Sequence, residues 1–275
     1  MSGSKLGIGK MVFVGAGNMA EALVKGILAG GLCPPDRLVV TDVRAERRDY
    51  FQAQFGVRGL KSNREAVREA DVVVLAVKPQ TMGDVLRELR GAIPASALVI
   101  TIAAGIPTAR FEEGLGEGAR VVRVMPNTPS LVRAGASALC GGRWATEQDL
   151  KLAGALMEAV GLAVRVSESD MDSVTAVSGS GPAYVFFLAE AMLQAADQFG
   201  LAPDTARDLV TATLEGAARL MKETGLPPAE LRARVTSKGG TTEAALNVLR
   251  EKGVLDAWIE AMQAARRRAA ELSKT

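Results

Sequence analysis

Up to about Val166 the chain alternates short β-branched runs with longer stretches whose apolar residues recur at helical spacing, the α/β signature. The runs Met11–Val14, Leu38–Thr41, 71–77, 97–102 and Arg120–Met125 predict strands, with weaker ones near Val57, at 136–139 and at 163–166. Most are nearly continuous apolar runs. A strand apolar on both faces needs helices on both sides, so the expected sheet is mainly parallel and doubly wound. Segments 20–29, 81–89 and 147–160 carry the helical spacing between them.

The rhythm changes after the polar stretch Ser167-Glu168-Ser169-Asp170. No strand pattern follows, only Ala- and Leu-rich segments at 182–199, Pro203–Thr224, 227–235, 242–252 and 255–272. Pro182, Pro203 and Pro227 each stand where a helix can begin, because the first turn does not need the missing N–H. The expected architecture is α/β, with a Rossmann-type doubly wound domain over residues 1–168 and an all-α domain over 169–275. Residues 1–10, rich in Gly and Ser, read as a loose leader. Tyr184-Val185-Phe186-Phe187-Leu188-Ala189 is apolar all the way around, the pattern of a helix buried on every face. In so small a helical domain a second subunit is the expected source of that cover, which makes the unit a homodimer.

Composition removes several classes. Over 275 residues, 48% hydrophobic and 23% charged describes a globular chain with a real core. Thirty-three Lys and Arg against 31 Asp and Glu leave a net charge of +2, so no global field draws it to nucleic acid or an anionic membrane. The absence of histidine removes Ser-His-Asp and Cys-His nucleophiles and every imidazole proton relay. Cys33 and Cys140 show no ligand spacing, so neither a metal site nor a disulfide framework is expected, and a reducing cytoplasm fits. Apolar stretches such as 72–77 and 183–189 fall short of the ~20 residues that span a bilayer, so no membrane span is expected.

The first strand runs into Gly15-Ala16-Gly17-Asn18-Met19-Ala20 and then a helical pattern. This is the dinucleotide fingerprint in its G-x-G-x-x-A form. Gly15 makes the tight turn, Gly17 lets backbone approach the pyrophosphate, Ala20 packs helix on strand, and the helix N-terminus faces the phosphates. The second strand ends at Thr41-Asp42-Val43-Arg44. A carboxylate at Asp42 can hold the ribose hydroxyls of NADH and repels the 2′-phosphate of NADPH, whereas Arg44 or Arg47 could pair with that phosphate. The two signals conflict, so either cofactor stays open. Small-residue loops follow the next strands, Ala76-Val77-Lys78-Pro79, Ala103-Ala104-Gly105 and Met125-Pro126-Asn127-Thr128-Pro129, and should floor the ligand crevice. Taken alone, Lys78 reads as a surface lysine and Asn63 as the cap of the helix after it.

In the helical half, Ser178-Gly179-Ser180-Gly181-Pro182 reads as a flexible turn leading into a helix. The segment Thr236-Ser237-Lys238-Gly239-Gly240-Thr241-Thr242-Glu243 offers free backbone N–H groups suited to a small carboxylate, and a Thr hydroxyl able to bond a reacting nitrogen. The alternative is a capping turn with Thr241 or Thr242 as N-cap.

With these segments read together, the chain resembles the pyrroline-5-carboxylate reductases, which catalyse the last step of proline biosynthesis. The resemblance rests on the 14–20 opening, Ala76-Val77-Lys78-Pro79, Ala103-Ala104-Gly105, Met125-Pro126-Asn127-Thr128-Pro129, Ser178-Gly179-Ser180-Gly181-Pro182-Ala183-Tyr184 and Gly239-Gly240-Thr241-Thr242, in the family's order. It implies a Rossmann domain followed by a helical domain that interlocks two subunits, with an imino acid bound between them and larger rings of dimers compatible. It also implies that Thr242 contacts the imine nitrogen, that Ser237, Gly239 and Gly240 hold the carboxylate beside Thr241, and that Asn63, Ala76, Lys78, Pro79, Ala103 and Gly105 line the cofactor crevice with Gly15, Gly17, Asn18 and Met19. Two residues depart from the family's pattern: Lys238 stands where Pro is frequent, and Asp42 where many NADPH users have a small hydroxyl residue. The rivals are another imine reductase, a β-hydroxyacid dehydrogenase and a non-catalytic nucleotide sensor. Aligning the dehydrogenase motif G-x-x-G-x-G-x-x-x-K on Gly179 and Gly181 puts Val185 at the catalytic lysine, and the sensor would not need residues 239–242.

Overall fold

The computed structural model of the chain describes residues 6–273. Strands β1 (Met11–Val14), β2 (Leu38–Thr41), β3 (Arg58–Leu60), β4 (Val72–Leu75), β5 (Leu98–Thr101), β6 (Arg120–Met125), β7 (Gly135–Gly141) and β8 (Gly161–Arg165) form one sheet ordered β3-β2-β1-β4-β5-β6-β7-β8. Among them run α1 (Asn18–Ala29), α2 (Ala45–Phe55), α3 (Asn63–Val67), α4 (Pro79–Leu89), α5 (Thr108–Leu115) and α6 (Glu147–Glu158). After β8 come the short α7 (Met171–Val174), then α8 (Gly181–Gln198), α9 (Pro203–Thr224), α10 (Pro228–Arg234), α11 (Thr241–Glu251) and α12 (Val254–Leu272). The strand runs and the five C-terminal helices lie where the apolar pattern puts them.

β1 shows why the sheet is doubly wound. All four of its residues are fully buried. Met11 and Phe13 pack with Leu23 and Ile27 of α1, Phe51 of α2 and Leu156 of α6, while Val12 and Val14 pack on the other face with Met82 and Leu89 of α4 and Phe111 of α5. Each such side chain contributes roughly 1.5–3 kcal/mol by burial, and truncating a phenylalanine in such a layer costs about 3–5 kcal/mol. All neighbouring strands are parallel except β6 and β7. Only residues 126–134 separate those two, too short a link for the crossover that parallel pairing needs, so the chain turns back on itself.

Contacts divide the molecule into two compact units, one holding the chain to Ser180 together with the residues from Ala265 onward, the other Gly181–Ala264. The division falls later than residue 168 and groups the end of α12 with the sheet. Of the leader expected over 1–10, residues 1–5 lie outside the described residues. Its second half is not loose: Ile8 is buried, and the Gly9 and Lys10 N–H groups donate to the Asp71 carboxylate at 2.7 and 2.8 Å.

Two further expectations are corrected. Ser178–Pro182 is not a flexible turn, because a π-helical segment, Thr175–Gly179, closed by Ser180 N–H to Thr175 C=O at 2.8 Å, carries the helix on into α8. A π-type turn accommodates Pro182, which has no N–H to give an i→i−4 bond. The resulting continuous helical run Glu168–Gln198 is, by length and composition alone, long and apolar enough to cross a bilayer, where the residue pattern showed only short apolar stretches. Within the single chain the apolar face of α8 stays open, with Phe186 61% and Phe187 66% exposed.

Candidate active site

The strand order reverses between β1 and β4, which makes the carboxyl ends of these two strands the switch point where a doubly wound sheet binds its ligand. Gly15 leaves β1 with φ +101°, its N–H bonded to Thr41 C=O at 2.9 Å. A Cβ there would meet Ala76 O at 2.7 Å, so only glycine lets the turn lie against the β4 exit. Gly17 is the N-cap of α1, and a Cβ on it would meet nothing within 4 Å. The first intrahelical bond runs from Glu21 N–H to Gly17 C=O, which leaves the N–H groups of Asn18, Met19 and Ala20 at the helix start without helical partners. An open glycine cradle with free donors at a helix N-terminus fits a pyrophosphate.

The Ala16 peptide inside this turn is held from both sides. Its N–H donates to Asp42 Oδ2 at 3.1 Å, and its C=O accepts from Arg47 Nε at 2.7 Å. Arg47 also pairs with Glu21 at 2.8 Å and stacks over Tyr50, so it is committed to the fold and is not the free phosphate partner considered for it. Burial disfavours the Glu21 charge, but hydrogen bonds from Arg47 and Tyr50 outweigh it and hold the carboxyl below its ordinary value. Asp42 behaves alike: burial opposes ionisation, and the Arg44 guanidinium with the Arg44 and Ala16 N–H groups more than offsets it, so its pKa lies below the usual carboxylate range. Arg44 grips both Asp42 oxygens at 3.1 and 3.2 Å while remaining half exposed. The two conflicting specificity signals are thus one ion pair.

Asn63 is the first residue of α3 and not its cap; Ser62 caps, accepting Glu65 N–H at 3.1 Å. The Asn63 amide bridges, with Oδ1 accepting from Thr41 Oγ1 at 2.6 Å and Nδ2 donating to Glu88 at 2.8 Å. Ala76 follows β4 directly, its N–H bonded to Val14 C=O at 2.8 Å; exposed Lys78 is the N-cap of α4 and Pro79 its first residue. Buried Ala103 and Gly105, at φ +77°, stand at the exit of β5. The structure therefore gathers the expected cofactor residues at the carboxyl ends of β1, β2, β4 and β5 and at the start of α3.

The second unit carries the Thr236–Glu243 segment. Gly239 has φ +73°, and Gly240, whose N–H bonds Ser237 C=O at 3.0 Å, is the N-cap of α11. The capping alternative for Thr241 and Thr242 is corrected: they occupy the first two helical positions. Ala244 N–H makes the first intrahelical bond, to Gly240, leaving the N–H groups of Thr241, Thr242 and Glu243 unpaired within the helix. Among the described residues the Ser237, Thr241 and Thr242 hydroxyls bond no other group. Gly239 N–H donates to Glu243 Oε2 at 2.7 Å, so a carboxylate already sits on one donor of this turn. Among the described residues no three or more Cys, Asp or Glu side chains gather as a metal site.

Residues 168–272 match the family model described as pyrroline-5-carboxylate reductase dimerisation, and residues 10–105 match that described as NADP oxidoreductase, coenzyme F420-dependent. A pyrroline-5-carboxylate reductase of Methanosarcina acetivorans is 43% identical over 265 residues, which cover 96% of this chain and 98% of that one. The chain belongs to the pyrroline-5-carboxylate reductase family. A reductase structure from Coxiella burnetii superposes with TM-score 0.90 at 43% identity, covering 97% of this chain and 99% of that one. That of Plasmodium falciparum, with NADP bound, gives 0.88 at 30% identity, covering 96% and 98%.

Three roles escaped the residue pattern. Arg47 holds the Ala16 C=O, Glu168 accepts the Thr108 N–H and hydroxyl, and Glu243 accepts the Gly239 N–H, contacts made across the fold or within a turn that local spacing does not reveal.

Proposed function

We propose that the protein reduces 1-pyrroline-5-carboxylate to L-proline with NADPH or NADH, the last step of proline biosynthesis. The observation that carries this reading is the presence in one family member of two prepared sites: an open glycine turn at β1–α1 and a helix start at α11 with unspent hydroxyls and N–H groups. The dinucleotide supplies a hydride. Gly15, Gly17, Asn18 and Met19 hold its pyrophosphate, Asp42 and Arg44 meet its adenosine ribose, and Asn63, Ala76, Lys78, Pro79, Ala103 and Gly105 line its remaining length. Ser237, Gly239 and Gly240 hold the imino-acid carboxylate beside Thr241, and Thr242 orients the ring nitrogen.

A cyclic imine is protonated readily in water. As hydride adds to the iminium carbon, the C=N π pair becomes the nitrogen lone pair, and no strong protein acid is needed. A chain without histidine is adequate, because catalysis here is positioning. The open apolar face of α8 is covered by a second copy, giving a homodimer with which larger rings are compatible; this cover also accounts for the exposed apolar character of the Glu168–Gln198 helix without a membrane. Two buried free thiols suit a reducing cytoplasm. The test is pyrroline-5-carboxylate-dependent oxidation of NADPH or NADH with L-proline identified as product. A folded protein that oxidises neither overturns the reading.

A further inference from the structure

Helix α5 begins badly by its own sequence. Its N-cap is Pro107, which offers no side-chain oxygen, and its first turn carries no acid. The missing group comes from far along the chain. Glu168 Oε1 accepts the Thr108 N–H at 2.7 Å and Oε2 accepts the Thr108 hydroxyl at 2.6 Å, across 60 residues. Oε1 also accepts from the guanidinium of Arg123 in β6 at 3.3 Å. Arg123 is 3% exposed, and its Nη2 has no partner among the described residues, so Glu168 is the counter-charge of a buried cation as well as a helix cap.

What this clasp holds is the loop 103–107 between β5 and α5. The near end of the loop is tied to the sheet, with Ile102 N–H on Leu75 C=O at 3.2 Å and Ala103 N–H on Thr101 Oγ1 at 3.3 Å. The far end is tied by Glu168 through Thr108. Between them lie Ala103 and Gly105, two residues of the cofactor crevice.

We propose that Glu168 is a positioning residue for the dinucleotide: through Thr108 and Arg123 it sets where the 103–107 loop stands. The inference rests on the reductase reading insofar as that reading puts the cofactor against this loop.

Full-length Glu168→Gln, Thr108→Val and the double variant are titrated with NADPH and NADH by calorimetry, beside steady-state kinetics and melting curves. Glu147→Gln serves as control, because Glu147 pairs with Arg165 on the surface. Glu168→Gln is expected to weaken cofactor binding about tenfold and to lower kcat, with KM for the imino acid changed less than about twofold. Thr108→Val moves the same quantities less, the double variant falls short of additivity, and the control moves none. Cofactor binding within about twofold of wild type in folded Glu168→Gln and Thr108→Val overturns the proposal, whatever the melting points. Should Glu168→Gln not fold, unchanged binding in Thr108→Val overturns it alone. A wild-type protein that binds cofactor without turning over the imine defeats the reductase reading and leaves the binding comparison to decide this one.

Discussion

Replacing Thr242 by Val removes one hydroxyl and keeps the branched shape. The usual confounder is absent, since α11 is capped at Gly240 and the Thr242 hydroxyl bonds no group in the folded chain among the described residues. Folding therefore loses no hydrogen bond, and stability should change by less than about 0.5 kcal/mol. Turnover should not escape. A hydroxyl bonded to the imine nitrogen interacts more strongly as hydride transfer localises a lone pair there. A hydrogen bond of that kind contributes about 1.5–3 kcal/mol, which is roughly a 10- to 100-fold loss in kcat/KM. Steady-state kinetics and a melting curve on the same preparation read both quantities, and Thr242→Ser should restore most of the rate. If Thr242→Val keeps kcat/KM within about twofold of wild type, the hydroxyl does not act on the reacting nitrogen.

The Asp42–Arg44 pair should make NADH at least comparable with NADPH, and Asp42→Ser, by freeing Arg44, should shift the ratio of kcat/KM values towards NADPH roughly tenfold; an unmoved ratio means that Asp42 does not read the ribose. In the proposed binding mode Glu243 competes with the substrate carboxylate for Gly239 N–H, so Glu243→Ala should lower KM for the imino acid about threefold without changing kcat, and an unchanged or higher KM refutes the competition. Phe187→Glu puts a charge on the exposed apolar face of α8 and should dissociate the dimer in sedimentation; a wild-type protein that sediments as a folded, active monomer removes the interface.

Strands buried on both faces are legible because their apolar runs are short, continuous and set off by Gly and polar residues, so β1, β2 and β6 stand on the expected residues. The helices that escaped notice did so for a physical reason. α2 buries only Phe51, and α5 is too short to show a period. The reversal at β7 follows from the length of a link, which a strand's own residues do not express. At the site, glycine turns were readable since close approach and positive φ demand a residue type. Charge partners were not: Arg47 on Ala16, Arg44 on Asp42 and Glu168 on Thr108 are products of folding, and an exposed-looking Glu in sequence is indistinguishable from one that caps a helix 60 residues away.

Hydride delivery to a cyclic imine carbon is read out by isotope transfer. The wild-type protein is incubated with 1-pyrroline-5-carboxylate and NADPH or NADH carrying deuterium at the reactive nicotinamide carbon, and the product is analysed by mass spectrometry and NMR. Direct transfer puts one deuterium on the former imine carbon of L-proline when the label occupies one face of the nicotinamide and none when it occupies the other. Proline without deuterium from either labelled face, or no proline from a folded protein that binds the cofactor, would contradict it.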